Sequence, residues 1–565
     1  MPVRDRVRRS GRAAAHPARR HPRLRGGATG DREITGARRL VEALLAGGVD
    51  RIFTLSGNQI LSVFDATVGR GPALIHTRHE AAAVHMADAW GRLTDRPGVA
   101  LVTAGPGHLN AVSALYGALM EESPVVLLSG ASPVSQRGRG AFQEIDQVAA
   151  VRPVTKAAWS ATDPERIGDD VERALAIAAS GCPGPVHLSL PGDVLENAAT
   201  AAAAPSRVTA APAPAPAMTV KTVIAQLTEA KRPVIITGPS MGRGRRGAAV
   251  QRLAQLIRVP VMTAESPRGL NDPWLHGAAA SLAEADVVVL LGKALDFSLR
   301  FGATPGFAAS CRFVRIAEGA SAHPRVALSI AADPEIVVEQ LVAAAGGHAW
   351  HGERWAEDFA RVRAATPAAW ARWRDADAAP MHPLRVCAAV QPHLDAGAIL
   401  VADGGEFGQW AQAGLEAGVR LINGPSGSIG SAIPMAIAAR MAHPERTVLA
   451  LLGDGTFGFH ALELDTALRA GAPIVAVVGN DARWNAEYQL QLQHYGAERA
   501  VACELLPTRY DTVAEGLGAH GELVERPAQL DAALARAVAS GRPACVNVLI
   551  DGVAAPTFKT GAAHS

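Results

Sequence analysis

Short, β-branched apolar runs separated by helix-length stretches recur from residue 33 onward, and this alternation restricts the fold more than any other feature of the chain. The first set of runs covers 51–55, 97–103, 124–129 and 186–190. Each is apolar throughout, as a strand is when helices cover both faces of its sheet, and parallel strands need such helical crossovers. An open α/β domain is therefore expected over 31–197. A second set, 233–237, 259–262, 286–291 and 312–316, predicts another over 218–345, and a third set, 399–402, 447–452, 473–478 and 544–549, predicts one over 381–556. Three open, mainly parallel-sheet α/β domains also suit 565 residues, because a single core seldom serves more than about 250–300.

Three tracts fall outside the pattern. Residues 1–30 hold nine Arg and one acidic residue, Asp5. They read as a disordered tail, with a targeting segment and a misassigned start as the alternatives. Residues 198–217 are nearly all Ala, Pro, Thr and Ser, and Pro205, Pro212, Pro214 and Pro216 favour an extended linker. A Trp- and Arg-bearing helical connection is expected over 346–380. One echo relates the first and third blocks: Ala46-Gly47-Gly48 and Ala470-Gly471-Ala472 each close a helical pattern and precede a strand.

Charge and cysteine usage narrow the function. Lys+Arg 55 against Asp+Glu 53 leaves a net charge of +2, so no basic face for nucleic acid is expected. The five cysteines form no CxxC pair, which fits a reducing, cytoplasmic location. No run approaches the roughly 18 apolar residues of a membrane span. A small-molecule substrate is the expected partner.

The chemistry-bearing motifs sit at strand ends. Gly453-Asp454-Gly455-Thr456 follows an apolar strand and opens a helix, where backbone N–H groups suit a phosphate and the Asp454 carboxylate suits Mg²⁺. One helix and one strand later comes Gly479-Asn480-Asp481, so both motifs should reach the same edge of one sheet. In the first block, Arg78-His79-Glu80-Ala81-Ala82 is followed by Gly105-Pro106-Gly107-His108-Leu109-Asn110. A zinc-peptidase helix is excluded there, because the histidine after Glu80 is His85 and not residue 83. A third segment, Gly427-Ser428-Ile429-Gly430 with Pro434, opens an Ala-rich helix. The central block carries Gly242, Gly244 and Gly247 in the spacing of a dinucleotide fingerprint, with Glu265 where a ribose-binding acid would stand.

Taken together and in this order, these motifs resemble the thiamine-diphosphate enzymes, specifically acetolactate synthases, 2-hydroxyacyl-CoA lyases and benzaldehyde lyase. The resemblance spans about 33–556 and implies a pyrimidine-binding, a central and a diphosphate-binding domain. It implies thiamine diphosphate and Mg²⁺ as cofactors, with Asp454, Asp481 and the Arg483 carbonyl as metal ligands. This chain has Asn-Asp where the family has Asn-Asn, which leaves Asn480 and Asp481 both open as the second ligand. Glu80 falls on the family's glutamate, which hydrogen-bonds N1′ of the aminopyrimidine so that the ring can deprotonate thiazolium C2. Ile429 would wedge beneath the cofactor and the Gly427 carbonyl would accept from its 4′-amino group. Gly453, Gly455, Thr456, Asn480 and Glu406 complete the cofactor-binding candidates.

In the family the central domain binds FAD in some members, ADP in others and nothing in many, and all three stay open for this chain. Family geometry also implies a homodimer or homotetramer with active sites between subunits. His108, Phe142, Gln143 and Trp484 are the substrate candidates, and the segment from Asn485 to Tyr495 is expected to be an amphipathic lid, with an ordinary surface helix anchored to the sheet by Trp484 as the alternative. Residues 140–144 and 152–156 resemble acetolactate synthases and 2-hydroxyacyl-CoA lyases alike, whereas 292–302 is closer to the lyases. Benzaldehyde lyase's catalytic histidine falls on Gln59. The expected activity is therefore an acetolactate synthase-like C–C bond lyase or ligase acting on 2-oxo acids or 2-hydroxyacyl compounds. A 2-hydroxyacyl-CoA lyase or oxalyl-CoA decarboxylase-like enzyme is the alternative, followed by a non-catalytic cofactor-binding homologue or a nucleotide-dependent oxidoreductase.

Overall fold

A computed structural model describes residues 34–199, 213–319 and 321–557. The tail expected over 1–30 and most of the linker expected over 198–217 lie outside the described residues. Among the described residues, seventeen strands form three sheets in which every strand pairing is parallel. The first sheet comprises β1 (Arg51–Thr54), β2 (Ala73–His76), β3 (Gly98–Val102), β4 (Val125–Ala131), β5 (Ala157–Ser160) and β6 (Val186–Pro191). The central sheet comprises β7 (Pro233–Thr237), β8 (Val261–Thr263), β9 (Val287–Leu291), β10 (Arg312–Ala317) and β11 (Val326–Ala331). The third comprises β12 (Ile399–Asp403), β13 (Arg420–Ile422), β14 (Val448–Gly453), β15 (Val475–Asn480), β16 (His520–Val524) and β17 (Ala544–Leu549). Helices flank each sheet, so the chain has three α/β domains.

The first sheet runs β2-β1-β3-β4-β6-β5 and the third runs β13-β12-β14-β15-β17-β16. Numbered within their own domains, the two orders are identical, which gives the helix-to-strand echo a structural basis. In each, the order reverses between the first and third strands, opening a crevice at their carboxyl ends. Five strands are absent from the sequence reading: β2, β5, β11, β13 and β16. All five lie at sheet edges. An edge strand has a neighbour on one side only, so its side chains stay partly exposed and its sequence lacks the unbroken apolar run.

The first and third domains pack through two Ala-rich helices, Glu80–Thr94 and Ala432–Ala442, whose small side chains let the backbones approach closely. Thirteen of the 15 residues in Glu80–Thr94 are buried, so the helix is enclosed on all sides. Arg92 near its end joins the domains. Its Nε donates to Asp88 at 2.7 Å and its Nη1 to the Ile422 carbonyl at 2.9 Å, while Nη1 also lies 3.2 Å from the Glu121 carboxylate. Burial works to raise the Asp88 pKa, but the adjoining guanidinium outweighs it and holds the carboxyl below its usual range. Replacing Arg92 with Leu would strand the buried Asp88 carboxylate and leave Glu121 with Arg243 alone. A loss of about 3–5 kcal/mol is expected, read as a lower urea midpoint, with Arg92→Lys intermediate. An unchanged midpoint for Arg92→Leu would show that the network contributes little.

Candidate functional site

The crevice of the third sheet holds a cavity lined by turns that follow β12, β14 and β15. β14 and β15 pair in register through Gly453 and Gly479, so the residues that follow each strand emerge side by side. Asp454 opens helix Asp454–His460 and faces the cavity, as does Asp481. Asp454 is 1% exposed, and its Oδ2 has no hydrogen-bond partner. Burial pushes its carboxyl up to about 6. Asp481 rises to about 7, first from burial and then from the neighbouring Asp454 charge. Of the two residues left open by the sequence, only Asp481 lines the cavity. The Asn480 side chain points into the sheet edge, donating to the Thr508 carbonyl at 3.0 Å and to Asn547 Oδ1 at 3.1 Å.

The other walls come from three turns. Ile429 reaches the cavity from the loop before helix Ala432–Ala442. That loop is pinned by Asp403 at the end of β12, whose Oδ2 accepts from Gly430 N and Ala432 N, both at 2.9 Å. Burial lifts Asp403 to about 6, with the loop N–H groups acting against the rise. Glu406 lies in the next turn, its Oε2 accepting from Ala555 N at 2.9 Å and facing Arg268 at 3.3 Å. Trp484 packs against Gly455, where a Cβ would come within 2.6 Å of the indole. Gly427 sits at the rim near Pro267 and does not line the cavity.

A second cluster occupies the matching crevice of the first sheet. Glu80 begins its helix behind His79, whose Nδ1 accepts from Ala81 N at 3.1 Å. Asn110 Nδ2 donates to Glu80 Oε2 at 3.1 Å, and a Cβ on Gly107 would lie 3.1 Å from Oε1. Thr103, after β3, donates to Gln59 Oε1 at 2.6 Å, and Gln59 donates to Gln143 Oε1 at 3.1 Å. Phe142 beside it is exposed. His108, expected on the substrate side, is fully buried instead, with Nδ1 2.9 Å from Ser129 Oγ and its ring 4.7 Å from that of His187. Its position on helix Pro106–Met120 turns it into the core, away from Glu80.

Family comparisons agree with this layout. Residues 34–150 match the thiamine pyrophosphate enzyme N-terminal TPP binding domain, 220–341 the central domain and 403–548 the C-terminal TPP binding domain. The chain is 38% identical over 528 residues to the acetolactate synthase large subunit IlvG of Mycobacterium tuberculosis, covering 91% of this chain and 95% of that one. It belongs to the thiamine pyrophosphate enzymes. It is also 32% identical to 2-hydroxyacyl-CoA lyase 2 of Homo sapiens over 574 residues, covering 91% and 90%, and 29% identical to acetolactate synthase of Bacillus subtilis over 538, covering 91% and 93%. As a member of this family the chain is a thiamine-diphosphate-dependent carboligase, lyase or decarboxylase.

The residues present fit that cofactor. The cavity joins an apolar wedge, Ile429, to a glycine-lined turn and to a buried carboxylate oxygen without a partner. No group of three or more His, Cys, Asp or Glu side chains converges among the described residues. A metal held by Asp454 and Asp481 would therefore draw its other ligands from backbone carbonyls, water and phosphate oxygens. Asp403 escaped the sequence reading as part of the site, and Asn110 entered it only as the end of a motif, without a role. Asp403 closes a predicted strand at the point where an open sheet binds ligands, a signal that was available. Helix Asn485–Tyr495 forms as expected but is not amphipathic: only Asn485 is buried, while Leu490 and Tyr495 stand exposed. Asp403→Asn should weaken thiamine-diphosphate binding about tenfold, because charge-assisted bonds to the Ile429 loop become weaker neutral ones. Calorimetric titration measures it, and an unaltered affinity would mean that the loop holds its shape without Asp403.

Proposed function

We propose that this chain uses thiamine diphosphate with Mg²⁺ to make or break a C–C bond beside a carbonyl, acting on 2-oxo acids or 2-hydroxyacyl compounds as an acetolactate synthase-like enzyme. The observation that carries the reading is the pair Asp454 and Asp481 facing one cavity, with Asp454 Oδ2 buried and unpaired. Acceptor-only oxygens suit a hard cation, and that cation would neutralise both carboxylates and a diphosphate. Bound there, the cofactor supplies an electron sink next to the substrate carbonyl. Glu80 would hold a proton at the pyrimidine N1′, with Asn110 orienting its carboxylate. Ile429 would set the ring geometry and Trp484 would wall the substrate side. Five free cysteines fit a cytoplasmic, reducing setting, and among the described residues no helix is long and apolar enough to cross a membrane.

All described lining residues of the cavity fall within 405–487, so Glu80 of the same chain is not among them. A second copy delivering its own Glu80 would complete the site, which supports a homodimer, or a homotetramer built from two such pairs. Exposed Leu109 and Tyr116 on helix Pro106–Met120, with Phe459 and Leu462 beside Asp454, offer apolar surface for that contact. A 2-hydroxyacyl-CoA lyase is the second reading. It is favoured by the human relative of that name and by residues 292–302.

Incubating the holoenzyme with a panel of 2-oxo acids and 2-hydroxyacyl-CoA thioesters separates the two readings: CO₂ release on the acids supports the first, aldehyde release from the thioesters the second. Glu80→Gln should bind cofactor normally yet slow H/D exchange at C2 by about 10²-fold or more, since an amide cannot serve as the acid. Exchange at the wild-type rate would remove Glu80 from this role. Asp454→Ala should abolish the Mg²⁺-dependent part of thiamine-diphosphate binding. If calorimetry on that variant returns wild-type affinity with Mg²⁺ present, and a chelator still lowers it, the metal site lies elsewhere.

A further inference from the structure

The central sheet runs β11-β10-β9-β7-β8, so its order reverses between β7 and β9. An open α/β sheet ordinarily takes its ligand at such a point. The loop leaving β7 carries Gly242, Gly244 and Gly247 in the fingerprint spacing, and in that motif the turn and helix N–H groups receive a pyrophosphate. Here both sets of donors already hold carboxylates of the first domain. Ser240 N donates to Glu122 Oε2 at 3.0 Å, and the Ser240 hydroxyl donates to the same oxygen. That carboxylate lies against the glycine turn itself, beside a cavity lined by Ser240, Arg243, Arg245 and Arg246. A Cβ on Gly238 would overlap it and would lie 2.8 Å from the carbonyl of Gly292, the first residue beyond β9.

The helix end is filled in the same way. Arg245 N, in the first turn of helix Gly244–Ile257, donates to Asp95 Oδ2 at 3.3 Å. Gly244 stands at φ 55°, and a Cβ on it would come within 2.5 Å of that oxygen. The arginines of the loop are matched as well. Arg243 lies 3.4 Å from the Glu121 carboxylate and donates to the carbonyls of Glu121 and Glu122 at 2.7 and 2.9 Å, while Arg245 and Arg246 both pair with Glu335. Asp95 and Glu122 adopt left-handed backbone conformations, φ 54° and 51°. Non-glycine residues keep such angles only where surrounding contacts hold them there.

We infer that the glycine-rich loop of the central domain is a socket for the first domain, in which Asp95 and Glu122 take the place of a pyrophosphate, so that this chain binds neither FAD nor ADP at that crevice. The fingerprint and the flavin- or ADP-binding members of the family do not carry over to a loop whose Ser240 and Arg245 N–H groups are taken by carboxylates of its own chain. The socket has a structural use: Asp95 caps the end of the helix that begins with Glu80, so the first domain's central helix is fastened at its far end.

The full-length protein is titrated calorimetrically with FAD and with ADP, and the supernatant of heat-denatured protein is assayed for released nucleotide. Neither heat nor nucleotide is expected, and stoichiometric binding or release of either would overturn the inference. In parallel, hydrogen exchange is followed in the peptide covering 238–247. Glu122→Ala and Asp95→Ala should each speed its exchange roughly tenfold or more, the factor that a charge-assisted hydrogen bond contributes. Glu122→Gln, which keeps an acceptor oxygen, should fall between wild type and Ala. Wild-type exchange in both Ala variants would equally overturn the socket, even without nucleotide binding. Both readouts are independent of C–C bond chemistry, so their failure is distinct from failure of the proposed activity.

Discussion

A helix buried on every side needs partners for the charged groups it carries, and helix Glu80–Thr94 finds them in all three domains. Asn110 of the first domain holds Glu80 at its start. Arg92 near its end neutralises Asp88, faces Glu121 and reaches the Ile422 carbonyl of the third domain. Asp95 just beyond it meets the Arg245 N–H of the central domain. His85 in the middle has no charged partner in direct contact, and burial pushes it down to about 3, so it stays a neutral ring in a closed interface. The position of Glu80 is thus set by contacts distributed along 15 residues, and the domains are tied together by the same contacts.

The first and third domains share one strand order and use its crevice for opposite chemical ends. In the first, a single carboxylate, Glu80, is held by Asn110, and Thr103, Gln59 and Gln143 are linked by hydrogen bonds at the strand ends. In the third, two carboxylates face each other and raise one another's cost of ionisation, which a divalent cation would relieve. The central domain has the same kind of crevice but sets its neighbour's carboxylates, Asp95 and Glu122, against the glycine loop there. One architecture therefore provides an organic-ring end, a charged end and a fastening point. What differs is which side chains leave the carboxyl ends of the strands.

Central strands were legible because both faces are covered by helices, and residues such as those of β14 and β15 are accordingly apolar without interruption. The edge strands β2, β5, β11, β13 and β16 were not, since partial exposure admits polar residues and erases the run. The motifs at Asp454 and Glu80 were readable for a similar reason: each is contiguous and sits where a strand ends. His108 was misread because its neighbours in sequence are site residues while its side chain leaves the opposite face of the helix. The amphipathic expectation for the helix after Trp484 failed because a string of Gln, Leu and Tyr says nothing about which side the core will lie on.

By itself the sequence determined three α/β domains, the family, and the stretches from which its cofactor residues come, because these are properties of short contiguous segments. Tertiary structure decided the rest. It turned Asp481 toward the cavity and Asn480 into the sheet, since Asn547 and the Thr508 carbonyl were there to receive an amide. It made Asp403 the anchor of a loop nearly thirty residues away. It also converted a nucleotide fingerprint into a socket, by bringing Asp95 and Glu122 to N–H groups more than a hundred residues distant. A loop's donors have the same appearance in sequence whether they face a phosphate or a carboxylate of their own chain, and only packing determines which one arrives.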